Sequence, residues 1–172
     1  MNVTFEGKTE TGKDEWLTPP DLLANFKTFC LDPCSPINRP WPTAKKHFTK
    51  NENGLLKDWG GGLVYCNPPY GKEAEKWLKK SAEHNNTVVL IFARVETKAF
   101  FTYVWDKADA VFFIKGRLKF YNVDGTKAQN SAGAPSVLIA YGKEASEQLE
   151  NLKIKGKFIK LKNENSQQFK RG

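Results

Sequence analysis

The four residues Asn67-Pro68-Pro69-Tyr70 have the types and the spacing that most clearly indicate chemistry in this chain. They follow the apolar run of residues 63–66 (LVYC) and precede Gly71. Such a run predicts a buried strand, and the loop after it then lies at the strand's carboxyl end, where open α/β sheets hold their ligands. We therefore expect these four residues to belong to a ligand-binding or catalytic loop.

The chemistry that this loop suits is methyl transfer to an exocyclic amine, such as that of adenine or cytosine. The lone pair of that nitrogen is delocalised into the ring, and it must be localised before the nitrogen can attack. The Asn67 side-chain carbonyl and the Pro68 main-chain carbonyl are neighbouring acceptors for both amino hydrogens. The two prolines stiffen the loop because they fix φ and remove two N–H donors, and Tyr70 offers a flat face for a base. Asn67, Pro68, Pro69 and Tyr70 are thus predicted to be catalytic; the alternative is a Pro-Pro turn that merely ends a strand.

Length and composition predict one domain with a basic surface. The 172 residues, 40% of them hydrophobic, are enough for one core and few for two. The net charge of +8 favours a polyanionic partner such as DNA, although the lysines within 72–80 and 153–170 could equally be solvated faces. We expect a disordered segment 1–14, a single domain 15–162 and a polar tail 163–172.

No membrane span or signal peptide is predicted, since no apolar stretch is long enough and residues 1–14 are polar. A cytoplasmic location is expected. The three cysteines Cys30, Cys34 and Cys66 are an odd number without framework spacing, which predicts reduced thiols and no metal. A zinc site formed by these cysteines and His47 is the alternative, but the spacing matches no paired-ligand knuckle.

Hydrophobic periodicity predicts an α/β domain. A helix capped by Thr18-Pro19-Pro20-Asp21 should run to about Phe29, followed by a short strand near Leu31 and a long loop system over 32–58. The later elements are predicted to be strand 62–66, helix 73–83, strand 87–93, helix 98–107, strand 110–114 continued by 117–121, loop 122–134 and strand 136–141. Apolar strands that alternate with helices indicate a mostly parallel sheet covered on both faces, with the last two strands as an antiparallel pair at its edge.

Seven short motifs stand in a specific order between Glu15 and Gly142. They are residues 16–19 (WLTP), 31–34 (LDPC), 53–59 (NGLLKDW), 67–71 (NPPYG), 93–97 (ARVET), 116–120 (GRLKF) and 134–137 (APSV). This order resembles the small phage and prophage Dam-like DNA adenine-N6 methyltransferases, which use S-adenosylmethionine. The resemblance implies a compact, Rossmann-like methyltransferase fold, and it suggests protection of phage DNA from restriction as a role.

The resemblance also implies where the cofactor binds. The implied cofactor-binding residues are Trp16, Thr18, Pro19, Asp32, Pro33, Cys34, Phe48, Asn53 and Asp58. Asp32 has the clearest task, because its carboxylate can attract the α-ammonium of S-adenosylmethionine. Asn53 and Asp58 stand where similar enzymes contact the cofactor's adenine, and Phe48 is the alternative, by stacking. The structural alternatives are an Asp-Pro turn for Asp32 and core packing for Trp16.

Two departures from the family pattern affect the cofactor site. The sequence Cys34-Ser35-Pro36 stands where a Gly-x-Gly turn usually lets the backbone approach the ligand. The short stretch between Asp32 and Asn67 also leaves little room for the acidic strand that binds the ribose in larger methyltransferases. We therefore assign no ribose ligand.

The implied DNA partner requires that the target adenine be flipped out of the duplex. The basic candidates for phosphate or base contacts are Arg39, Lys45, Lys46, Arg94, Arg117 and Lys119, each of which could instead serve solubility. Loop 122–133 carries Gln129 and Asn130, which pair well with adenine edges. Methylation of cytosine-N4, RNA or protein glutamine, or a non-catalytic nucleic-acid-binding module, remain the alternative functions.

Overall fold

The computed structural model describes residues 15–162, so the predicted disordered segment 1–14 and polar tail 163–172 lie outside the described part of the chain. Its helices and strands are, in chain order, α1 Pro20–Leu23, β1 Leu31–Asp32, β2 Lys46–His47, β3 Val64–Cys66, α2 Glu73–His84, β4 Thr87–Phe92, α3 Lys98–Phe100, β5 Ala110–Ile114, β6 Ser136–Tyr141, α4 Lys143–Glu150 and β7 Gly156–Lys160. A 3₁₀ turn, Gly54–Leu56, precedes β3, and a π-helical turn, Phe101–Trp105, follows α3.

The seven strands form one mixed sheet in the order β2-β1-β3-β4-β6-β5-β7. The pairings β1–β2, β1–β3 and β3–β4 are parallel, whereas β4–β6, β5–β6 and β5–β7 are antiparallel. Strands β1 to β5 therefore share one direction, and β6 and β7 run the opposite way. The carboxyl ends of β1, β3, β4 and β5 consequently meet at the same edge of the sheet.

The prediction of a mostly parallel sheet with an antiparallel edge pair is not confirmed. The three longest ladders are antiparallel, because β6 lies inside the sheet, between β4 and β5, and not at its edge. The antiparallel edge is formed instead by β7, a strand that the sequence analysis did not predict. Residues 117–121 do not continue β5; Tyr121 makes only single bridges, to Leu17 and Lys127.

The sheet is covered on both faces, as predicted. Alternate residues of each strand enter opposite clusters: Tyr65 and Leu90 face one side, and Val64 and Val89 face the other. The first cluster packs against the α1 region and α4. The second packs against α2 and the π-helical turn. β3 thus packs on both clusters, and Leu31 of β1 packs in the second.

Two predicted helices are shorter or less regular than expected. α1 ends at Leu23, although Leu22, Phe26 and Phe29, which fall within the span predicted as helix, are buried. The Asn25 side chain donates to the main-chain oxygen of Asp21 at 2.8 Å, which offers the backbone an alternative to helical hydrogen bonds. The helix predicted over 98–107 is α-helical only in its first turn and π-helical thereafter.

Candidate active site

The predicted catalytic loop and the predicted cofactor segment open into one cleft. Leu31 in β1 pairs with Val64 in β3, so Asp32, the last residue of β1, and Asn67, directly after β3, lie at the same edge of the sheet. The cleft has a volume of about 490 Å³, within the range of small-molecule sites. The predicted site residues that line it are Trp16, Thr18, Asp32, Pro33, Cys34, Asn53, Asn67, Pro68, Pro69 and Tyr70.

The Asn67 side chain is oriented by a chain of hydrogen bonds. Its Nδ2 donates to Thr18 Oγ1 at 3.5 Å, and Thr18 Oγ1 shares a 2.5 Å hydrogen bond with the hydroxyl of Tyr65. Tyr65 is buried beneath the cleft, and burial raises the pKa of its phenol well above the ordinary value, so the hydroxyl stays protonated. With Nδ2 directed at Thr18, the Asn67 carbonyl oxygen is the acceptor that remains for a ligand.

Tyr70 is backed by a second aromatic ring. Its ring stacks on Phe92 at the end of β4, with centroids 4.2 Å apart and planes 7° from parallel. Burial raises the pKa of Tyr70, so the side chain is an uncharged aromatic surface. Only one face of the Tyr70 ring is thus left for stacking on a ligand.

Asp32 is a buried carboxylate. It is 3% exposed, and burial raises its pKa to about 6. The hydroxyl of Thr43 and the N–H of Cys34 (3.1 Å) donate to it, which partly offsets the desolvation, as does the more distant charge of Arg39. Among the ion pairs of residues 15–162, none includes Asp32. A ligand cation would therefore find an acceptor here that lacks a counter-ion.

The cysteine thiols near Asp32 are held in the neutral form. Burial, with a smaller contribution from Asp32, raises the pKa of Cys34 to about 12, and burial raises that of Cys66 well above its usual value. A thiolate is the nucleophilic form of cysteine. Neither side chain is suited to attack a substrate at neutral pH.

The backbone next to Asp32 packs closely against a glycine of another loop, Gly54. A Cβ on Gly54 would lie 2.0 Å from the main-chain oxygen of Pro33, so only glycine fits there. The main-chain oxygen of Gly54 accepts from Trp59 Nε1 at 2.9 Å, and Lys80 Nζ donates to the Leu55 oxygen at 2.8 Å. These contacts fix loop 53–59, including Asn53, along the cleft.

A family model described as DNA N-6-adenine-methyltransferase (Dam) matches residues 7–165, which include the whole of this cleft. The chain belongs to the Dam family of DNA adenine-N6 methyltransferases. Comparisons with curated proteins and with solved structures found no match. Membership of the Dam family indicates methylation of adenine N6 in DNA as the activity, and enzymes of this family generally use S-adenosylmethionine as the methyl donor.

Three of the predicted cofactor residues of this Dam-family chain do not line the cleft. Pro19 is buried at the start of α1, and Phe48 is buried in the second core cluster. The main chain of Phe48 still supports the site. Its N–H donates to the main-chain oxygen of Asp32, and its main-chain oxygen accepts from the N–H of Ser35, both at 2.9 Å. Asp58 is exposed and accepts from the Gly60 N–H in a local turn. The contacts predicted for Phe48 and Asp58 by analogy with other methyltransferases have no support in this geometry, because burial and the local turn direct both side chains elsewhere.

The six predicted DNA contacts lie outside the cleft. Lys45, just before β2, and Lys46, its first residue, are exposed, and Arg94 is half-buried after β4. Arg39 folds back on its own loop and donates to the Pro36 oxygen at 2.9 Å. Arg117 donates to the Gly133 oxygen at 3.0 Å, and Lys119 is exposed. Their contacts with DNA remain predictions.

Several lining residues of the Dam-family cleft were not predicted. They are Glu15, Leu17, Ser35, Pro36, Thr43, Thr49, Lys50, Gly54, Leu55, Tyr65, Glu73, Lys76 and Trp77. The position of Tyr65, a residue of β3 two places before Asn67, was the available signal, because residues two apart along an extended chain share a face. Thr43 lies in an irregular loop, where no periodicity identifies a role.

Residues 15–162 lack two features that would suggest other functions. No group of three or more His, Cys, Asp or Glu side chains there could hold a metal ion. No helix there has the length and apolar character needed to cross a membrane. The three cysteines are unpaired, and Cys30 is the exposed one.

Proposed function

We propose that the cleft binds S-adenosylmethionine through Asp32 and that Asn67, Pro68 and Tyr70 hold a flipped adenine beside it. The site suits this cofactor, because a buried carboxylate without a counter-ion matches an α-ammonium group, and the cleft volume is adequate for a ligand of that class. Trp16 and Asn53 line the same cleft and would contact the rest of the cofactor.

The cofactor supplies a methyl group activated by a sulfonium. The protein's task is to make the adenine amino group nucleophilic. The Asn67 and Pro68 carbonyl oxygens would accept hydrogen bonds from its two N–H groups, which draws the lone pair out of conjugation as the nitrogen becomes tetrahedral. One of these hydrogens would leave to solvent as a proton once the nitrogen carries the methyl group. Asn67 is preorganised for this by Thr18, which engages the other end of the amide. The neutral Cys34 and Cys66 thiols favour direct transfer over a covalent enzyme intermediate.

The adenine would stack on the free face of Tyr70. A base within a duplex cannot reach this cleft, so binding requires unpairing, which costs a few kcal/mol. Stacking on an aromatic side chain contributes about 1–3 kcal/mol per base and offsets part of that cost. Phe92 supports Tyr70 from behind and keeps the ring in one orientation.

The observation that carries this proposal is that Asp32 and the Asn67–Tyr70 loop share one cleft. The test is incubation of the full chain with isotopically labelled S-adenosylmethionine and unmethylated DNA, followed by digestion and mass spectrometry of the nucleosides. Labelled N6-methyladenine is expected. Asn67→Ala should lower its formation by about a hundredfold to a thousandfold, the usual loss for one transition-state hydrogen bond.

The control is Asn151→Ala, an exposed asparagine at the end of α4, which should retain full activity. Full activity of Asn67→Ala would contradict the role of the amide. Label in N4-methylcytosine, RNA or protein, in place of N6-methyladenine, would contradict the proposed substrate.

A further inference from the structure

A group of basic side chains lies at the same edge of the sheet as the cleft but on the far side of β4. β5 ends at Ile114, which pairs with Gly156, the first residue of β7. The N–H of Lys115 donates to the main-chain oxygen of Lys155 at 2.9 Å, so the residues just after β5 and just before β7 are hydrogen-bonded to each other. We call Lys115, Arg117, Lys155 and Lys157 the basic corner.

The basic corner has no acidic partner among the described residues. All four side chains are exposed, and none takes part in the ion pairs found within residues 15–162. The flanking sequence is also free of acid, since segments 115–121 and 152–162 contain lysine and arginine but no aspartate or glutamate. Arg117 is held on loop 122–134 by its hydrogen bond to Gly133. The corner is therefore a site of uncompensated positive charge.

The distance from the catalytic loop to this corner suits a DNA backbone. Three steps across the sheet separate β3 from β5, and four separate it from β7. At about 4.8 Å per step, the separation is roughly 14–19 Å. Duplex DNA rises about 3.4 Å per base pair, so this span corresponds to about four to six base pairs.

We propose that the basic corner binds the phosphate backbone of the substrate duplex about half a helical turn from the flipped adenine. The proposal rests on the adenine binding beside Asn67. In this role the corner contributes affinity and orientation without reading sequence, because phosphate contacts are the same for every base. Lysines on an edge strand also discourage pairing with the edge strand of another molecule, and Lys155 and Lys157 suit that role on β7. A DNA-binding measurement distinguishes this role from phosphate binding.

The chain offers a matched control in the same strand pair. Lys160 lies at the other end of β7, where it pairs with Ala110, and Lys107 precedes β5 at that end. Both are exposed and lie at the sheet edge opposite the cleft. Lys155→Ala/Lys157→Ala and Lys107→Ala/Lys160→Ala thus remove the same charge from the same two-strand unit at opposite edges.

The test measures the affinity for a fluorescent unmethylated duplex by anisotropy, over a series of salt concentrations. Lys155→Ala/Lys157→Ala should weaken binding about tenfold at 0.15 M salt and make the dependence of log affinity on log salt shallower by about 2, since each lost phosphate contact removes about 0.9. The control pair should change the affinity less than twofold. Equal effects of the two pairs would overturn the proposal, because net charge alone would then explain them.

A kinetic measurement distinguishes this proposal from the catalytic one. With saturating duplex, Lys155→Ala/Lys157→Ala should methylate at the wild-type kcat, with KM for DNA raised in proportion to the loss of affinity. A fall in kcat with unchanged KM would overturn the phosphate-binding role. Failure of the wild-type chain to methylate adenine would reject the proposed catalytic site but leave the affinity comparison intact.

Discussion

Asn67 Nδ2 lies 3.5 Å from Thr18 Oγ1, and the same oxygen lies 2.5 Å from the hydroxyl of Tyr65. The resemblance to methyltransferases implied that Thr18 contacts the cofactor. In the structure Thr18 lines the cleft, and its hydroxyl joins a residue of the catalytic loop to a buried phenol. We predict that Thr18 positions Asn67 and that this contribution appears in the rate of reaction.

Thr18→Val is expected to lower kcat by about tenfold to a hundredfold with a smaller change in KM, since a misplaced catalytic group costs that much. It also leaves the buried Tyr65 hydroxyl without its partner, which should reduce the free energy of unfolding by about 1–3 kcal/mol. Thr18→Ser keeps the hydroxyl and should restore most of kcat. The exposed Thr28→Val is the control; a wild-type kcat for Thr18→Val would remove Thr18 from the positioning chain.

Affinity for S-adenosylmethionine should fall as the pH is lowered through about 6. The carboxylate of Asp32 attracts an ammonium only when ionised, and its pKa is about 6 in the unliganded protein. Asp32→Asn should bind the cofactor about tenfold to a hundredfold more weakly at pH 7.5, with an affinity that varies little between pH 5 and 7.5. Calorimetry over this pH range checks both expectations, with exposed Asp106→Asn as the control. Unchanged affinity of Asp32→Asn would reject the role.

Ionisation of Asp32 should strengthen cofactor binding but lower the stability of the unliganded protein. Its folded pKa is raised from 3.8 to about 6, so its contribution to stability is fully present below about pH 4 and is lost as pH rises through about 6. Without ligand, ionised Asp32 therefore costs about 3 kcal/mol at pH 7.5 relative to its protonated form. Chemical denaturation should accordingly show Asp32→Asn to be more stable than the wild type at pH 7.5, though less active.

Tyr70 should act through its ring and not through its hydroxyl. Tyr70→Phe is expected to keep activity near that of the wild type, whereas Tyr70→Ala should lower kcat/KM by about tenfold to a hundredfold through lost stacking. Phe92→Ala should cause a smaller loss, because Tyr70 then lacks its supporting ring. Phe101→Ala, which truncates an exposed phenylalanine, is the control. Equal losses in Tyr70→Phe and Tyr70→Ala would instead identify the hydroxyl as the functional group.

Gly54→Ala should damage the site through packing alone. The added Cβ would meet the Pro33 oxygen at 2.0 Å, and such overpacking typically costs about 1–3 kcal/mol. Thermal unfolding should show a Tm lowered by several degrees, together with weaker cofactor binding. Gly61→Ala is the matched control, since nothing lies within 4 Å of its Cβ position. A Gly54→Ala protein as stable as Gly61→Ala would mean that the two loops separate easily.

The predicted catalytic loop and Asp32 both line the cleft, because the loop directly follows β3 and Asp32 is the last residue of the neighbouring β1, while their catalytic and cofactor-binding roles remain predictions. The sequence did not predict the sheet order, because the position of β6 between β4 and β5 depends on long-range pairing that leaves no local pattern. β7 was missed since four of its five residues are exposed, two of them lysines, and Phe158 is the one that packs on the core. Phe48 and Asp58 were predicted to contact the cofactor by analogy with other methyltransferases. In the structure Phe48 is buried in the core, and the Asp58 side chain accepts a hydrogen bond within a local turn.

The position of β6 has a consequence for biosynthesis. The residues that line the cleft all lie before residue 78, yet the strand that joins β4 to β5 is not complete until Tyr141 has been made. A chain that ends before Ser136 would contain every cleft residue but would leave the facing edges of β4 and β5 open to other strands. Truncations in this region should therefore aggregate, and the emerging polypeptide gains a closed sheet only after most of it has been translated.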